Sequence, residues 1–246
     1  MKTLDKNIQI KRDEPYSNRR NFLKRGFIAG TVAGIAGVGL VTSCSDEEGE
    51  KGEEVSPPED LMREHGLLNR ILLIYDHCRS LLTNNESFSP DMLNQSAMII
   101  RNFIENYHEP LEENYLFPRF KKANRLTGLV DTLLAQHSAG RILTDKIIQI
   151  TDNSPSLNDT DTQQLIKLLA DFNTMYRPHE AREDTVLFPA LREIISANEF
   201  YALGEDFEDK EHEMFGEDGF ESMVDKVAGI EKQLDIYELS KFTPNV

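Results

Sequence analysis

The chain has no tryptophan and only two cysteines among its 246 residues. Cys44 and Cys78 could form at most one disulfide, and Cys44 sits where another use is expected, so a disulfide-built scaffold is not expected. Positive charge is scarce: 27 Lys and Arg stand against 43 Asp and Glu, for a formal net charge of −16. It is also unevenly placed, because residues 1–43 carry a net +5 and the remainder carries −21. So acidic a body argues against nucleic acid or anionic lipid as a partner. Long apolar runs are missing as well. The Gly-rich stretch from Gly26 to Val41 is short and weakly apolar for a membrane span.

What the chain does have is a repeat. His108, Glu109, Glu112, Leu116, Phe117 and Pro118 recur 71 residues later as His179, Glu180, Glu183, Leu187, Phe188 and Pro189. Each copy has a lone histidine upstream, His65 lying 43 residues before His108 and His137 lying 42 before His179. The unit is therefore a His helix followed by a His-x-x-x-Glu helix, and two units predict an all-α, antiparallel four-helix bundle. Residues i and i+4 share a helix face, so His108 points with Glu112 and His179 with Glu183. Four imidazoles and two carboxylates then meet inside the bundle, where buried carboxylates are costly unless something positive compensates them. A pair of metal ions would do so. Imidazole and carboxylate without thiolate suit iron, manganese or zinc.

Neighbouring candidates have to be weighed against these six. Asp184, five residues after His179, lies about 140° around the helix, against about 40° for Glu183, which favours Glu183 unless a bulge intervenes. Glu109 and Glu180 lie about 100° from their histidines and read as supporting or solvent-facing acids. His77 is about 120° around from His65 and reads as a surface or end-of-bundle residue. His212, among Glu208, Glu211 and Glu213, reads as part of a solvated acidic face. Tyr75, Tyr107 and Tyr176 could hydrogen-bond beside the centre.

In chain order, residues 44–58 read as an acidic tether, and Pro58 opens a first helix whose inner stripe is Leu61, His65, Leu68, Leu72 and Tyr75. Ser89 and Pro90 start the second helix, with Ala97, Ile104, His108, Leu111, Glu112 and Tyr115 on one face and Pro110 bending it beside His108. A third helix, from about Thr127 to Ile150, turns Val130, Leu133, Leu134, His137 and Thr144 inward. Asp161 with Gln164 offers a capping box for the fourth, which aligns Leu168, Phe172, Met175, His179, Glu183 and Val186. Counting about 1.5 Å per residue from the turns puts all six candidate ligands in one layer. The bundle spans 59–195. Residues 196–246 form a helical extension, starting from a cap at Ser196 with Glu199 and broken at Gly216 and Gly219, that could fold back over the site.

The first 43 residues read as an address. Arg19-Arg20-Asn21-Phe22-Leu23-Lys24 resembles a twin-arginine export motif, and Val41-Thr42-Ser43-Cys44 resembles a bacterial lipobox, which would make Cys44 a lipid anchor and leave Cys78 without a partner. Ser45-Asp46-Glu47-Glu48 resembles the acidic tag of some surface-exposed lipoproteins; a plain charged tether is the other reading. The expected location is the bacterial cell envelope.

Over residues 59–195 the His and Glu pattern resembles the hemerythrin-like, or HHE cation-binding, family. That resemblance implies a non-haem di-iron centre, with His65, His108, His137 and His179 capping the ions and Glu112 and Glu183 bridging them. The oxygen-carrying members have a further histidine where this chain has Arg141, and use Asp at the position of Asp184. The expected function is binding, sensing or scavenging of O2, NO or H2O2. The alternatives are a redox enzyme or iron donor in nitrosative or oxidative stress, and a structural metal site in an interaction module.

Overall fold

The computed structural model describes residues 56–152 and 156–244. The twin-arginine motif, Cys44, the acidic run after it and the tether up to residue 55 lie outside the described residues, as do 153–155 of the loop between the third and fourth helices.

Among the described residues, six helical rods follow one another: α1 (Pro57–Thr83), α2 (91–122), α3 (Thr127–Thr151), α4 (159–194), α5 (Ala197–Phe215) and α6 (Gly219–Gln233), with a final 3-10 turn at Leu239–Phe242. No strand occurs among the described residues, and no described helix is long and apolar enough to cross a membrane.

Local chemistry fixes the starts. Ser56 and Glu59 form a reciprocal capping box, the Ser56 amide donating to Glu59 Oε2 at 2.9 Å, and Pro57 occupies the first turn. The helix thus begins one residue before the expected Pro58. The α4 cap is Asn158, whose Oδ1 accepts the Asp161 amide at 2.9 Å. The expected box of Asp161 with Gln164 does not cap it, because Asp161 is already inside the first turn. Ser196 caps α5 as its spacing predicts, accepting from the Glu199 amide at 3.2 Å.

Helices α2 and α4 are not regular. In α2, π-helical turns run over Ile100–His108 and Glu112–Leu116, on either side of the α-turn Glu109–Leu111 that holds Pro110. In α4 a π turn covers Glu183–Leu187, just after Pro178 and His179. A π turn inserts one residue and rotates everything beyond it. This corrects two inner-face assignments: Leu116 and Leu187 are fully buried, whereas Tyr115 is half-buried and Val186 is 39% exposed.

The four long rods close a ring, α1 on α2, α2 on α3, α3 on α4 and α4 on α1. Burial of each large apolar side chain here, among them Leu61, Leu72, Phe103, Phe172 and Leu191, stabilises the bundle by roughly 1.5–3 kcal/mol. The extension packs on the outer face of α1 and α2. Phe207 meets Tyr115 edge-on at 5.7 Å, Phe215 meets Tyr107 at 5.4 Å, and Arg70 pairs with Glu231 at 2.9 Å. The tail therefore does fold back, along the side of the bundle next to the candidate layer.

Candidate metal centre

The antiparallel ring brings His65, His108, Glu112, His137, His179 and Glu183 together, each no more than 4% exposed. Their arrangement is two imidazole pairs. His65 Nε2 faces His108 Nε2 at 3.1 Å, and His137 Nε2 faces His179 Nε2 at 3.2 Å. Each carboxylate reaches across both. Glu112 Oε2 is 3.7 Å from His108 and 3.5 Å from His137, while Glu183 Oε2 is 3.1 Å from His179 and 3.5 Å from His65.

Every imidazole is held from behind through Nδ1. His65 binds Asp184 at 2.7 Å, His108 binds Glu64 at 2.6 Å, His137 binds Glu113 at 2.9 Å, and His179 binds the Gln136 side-chain oxygen at 2.9 Å. Acceptors at all four Nδ1 positions fix the protons there and leave each Nε2 with its lone pair pointing inward. Phe188 stacks on His65 at 5.6 Å and Phe117 on His137 at 5.7 Å, so the rings are fixed in orientation as well.

Two facing lone pairs at such separations repel unless a cation lies between them. Nitrogens held about 2.1 Å from one ion at roughly a right angle stand about 3 Å apart, which is the spacing found in both pairs. Both oxygens of Glu112 and both of Glu183 are buried and have no hydrogen-bond partner. Orphaned acceptors of that kind are costly, and metal coordination would satisfy all four. Electrostatics tell the same story. Burial, then the charge of Glu183, pushes Glu112 well above the usual carboxylate range. Burial works to raise Glu183 too, but His179 and His65 outweigh it and hold it low. Burial and the neighbouring imidazoles push His108 well below its ordinary value. The donor set therefore fits a pair of divalent or trivalent ions.

Asp184 lies behind His65, so the π turn after His179 does not exchange it for Glu183. Glu109 is buried, accepts from the Tyr176 hydroxyl at 2.8 Å and forms an ion pair with Arg141 at 2.6 Å; burial raises its pKa to about 7. Glu180 is buried beside the Asn69 amide and is raised to about 8, again by burial first. Tyr107 is buried close enough to Glu64 to feel its charge, while Tyr75 is buried against Phe172. His77 is half-buried at one end of the bundle, beside Phe88 and Leu234, and His212 is exposed. Arg141 contributes no ligand and instead pairs with Glu109 and Glu113.

Glu64, Glu113, Gln136 and Asn69 were not singled out by the sequence. Their signal is positional: Glu64 and Gln136 each precede the unit's first histidine, Glu113 and Asp184 each follow its glutamate, and Asn69 and Arg141 each lie four residues after that histidine.

The family described as Hemerythrin HHE cation binding domain matches residues 56–191. An uncharacterized protein of Mycobacterium tuberculosis is 48% identical over 225 residues, covering 87% of this chain and 88% of that protein. One of Mycobacterium bovis matches to the same extent. No solved structure matches the chain.

Proposed function

The chain belongs to the hemerythrin HHE cation binding family, and from that premise we propose that it holds two iron ions and uses them to bind, sense or scavenge O2, NO or H2O2. The observation that carries this reading is the pair of buried carboxylates, each touching one histidine of either imidazole pair, with four orphaned oxygens between them. His65 and His108 would cap one ion, His137 and His179 the other, with Glu112 and Glu183 shared. When bound, an iron pair with six protein ligands supplies open positions for a small oxygen- or nitrogen-containing molecule and one-electron chemistry on it. The chain's own residues do the rest. Asp184, Glu64, Glu113 and Gln136 orient the imidazoles, and Phe117 and Phe188 help to shield the layer from water.

The Tyr176–Glu109 pair favours a second reading, turnover of peroxide or NO. Its carboxylate follows His108 and its hydroxyl lies beside His179, both buried, and these are groups that can hold and pass a proton beside the centre. Spectra of the iron-loaded chain with O2, NO and H2O2 decide between the two. A spectral change without consumption is expected for binding, and a change with consumption for turnover. No change with any of the three would contradict both and leave a structural metal site.

We also propose export through the twin-arginine motif at Arg19-Arg20 and lipid anchoring at Cys44, which would put a centre loaded in the cytoplasm into the cell envelope. Cys44→Ala should move the protein from the membrane fraction to the soluble fraction; an unchanged distribution would contradict the anchor.

A further inference from the structure

The two units of the repeat are related position by position, yet two outer positions differ in charge. Glu64 behind His108 corresponds to Gln136 behind His179, and Asn69 corresponds to Arg141, each pair lying 72 residues apart. Both differences act in the same direction. At the His65–His108 pair the Nδ1 partners are two carboxylates, Asp184 and Glu64. At the His137–His179 pair they are a neutral amide, Gln136, and Glu113, whose Oε1 is shared between His137 at 2.9 Å and Arg141 at 2.8 Å.

A carboxylate behind an imidazole makes the inward nitrogen a stronger donor, and loss of such a partner costs metal affinity. We infer that the two ion positions are unequal: the His65–His108 position binds its ion first and more tightly, and the His137–His179 position is the exchangeable one. This rests on the two-ion reading above. Glu112 and Glu183 are common to both positions and cancel from the comparison. Glu64 counts for less than a full charge, because burial and the nearby Asp60 and Glu211 favour its neutral form. The order does not depend on it. Asp184 pairs with no lysine or arginine among the described residues, whereas Glu113 has its charge drawn off by Arg141.

The test is a stepwise Zn(II) titration of the metal-free full chain, read at the imidazole signals of the four histidines by NMR. His65 and His108 should shift with the first equivalent and His137 and His179 with the second, with affinities separated by about tenfold or more. Gln136→Glu should narrow the gap by strengthening the weaker position, and Asp184→Asn should narrow it by weakening the stronger one. Simultaneous filling, the opposite order, or a gap unmoved by Asp184→Asn would overturn the inference while leaving the two-ion reading intact. A chain whose histidines do not respond to zinc would overturn both.

Discussion

The first and second units present the same candidate ligands at nearly the same spacing but are packed and supported differently. His65 and His137 stack on corresponding phenylalanines, and Glu112 and Glu183 enter matching π turns. Around them the correspondence fails. Leu68 in the first unit corresponds to Gly140 in the second, and any Cβ at 140 would collide with the Tyr176 hydroxyl that reaches Glu109. The extension covers the outer face of α1 and α2, so Glu64 is only 3% exposed, while Gln136 is half-buried. The lesson is that the inner shell of such a centre is constrained by both ends at once, whereas the groups behind it can diverge unit by unit and make the ends unequal.

The largest break should come where the units are joined. Glu112→Ala or Glu183→Ala removes a carboxylate that touches both imidazole pairs, so either variant should lose stable two-ion uptake, measured as metal per chain after dialysis. Retention of both ions by either variant would show that the carboxylates do not join the ends.

A smaller effect tests the matching π turns. Leu187→Ala should cost about 2–5 kcal/mol in urea unfolding, while Val186→Ala should stay within about 0.5 kcal/mol. Leu116→Ala should behave like Leu187→Ala. Equal costs at 186 and 187 would mean that the helix runs straight through.

Gly140→Ala should cost about 1–3 kcal/mol by overpacking and should displace Tyr176 from Glu109. An unchanged melt would show that Tyr176 has room to spare. The smallest effect is expected at the two histidines outside the repeat: His77→Ala and His212→Ala should leave metal content unchanged, and a loss of metal from either would mean that the ligand set is wrong.

The repeat made much of this legible from residues alone. A His-x-x-x-Glu spacing occurring twice, with matched distances to upstream histidines, is enough to bring six side chains to one level, and the structure brings those six together. The supporting groups were harder to see. An acid next to a candidate ligand on a helix, such as Glu64 or Glu113, looks like any surface acid until the partner helix is in place. The same holds for Gln136 and Asn69, which act on histidine and glutamate from other helices. The π turns left no periodic trace either, because a regular 3.6-residue repeat places Tyr115 and Val186 inward, and only the extra residue exposes the error. The cap of α4 moved for a local reason, since Asn158 can accept from the Asp161 amide before Asp161 can act as a cap itself.

The most direct measurement is anomalous diffraction at the iron edge from crystals of the iron-loaded chain. Two peaks are predicted, one between His65 and His108 and one between His137 and His179, with Glu112 and Glu183 lying against both. A single peak, or peaks away from these four histidines, would contradict the account.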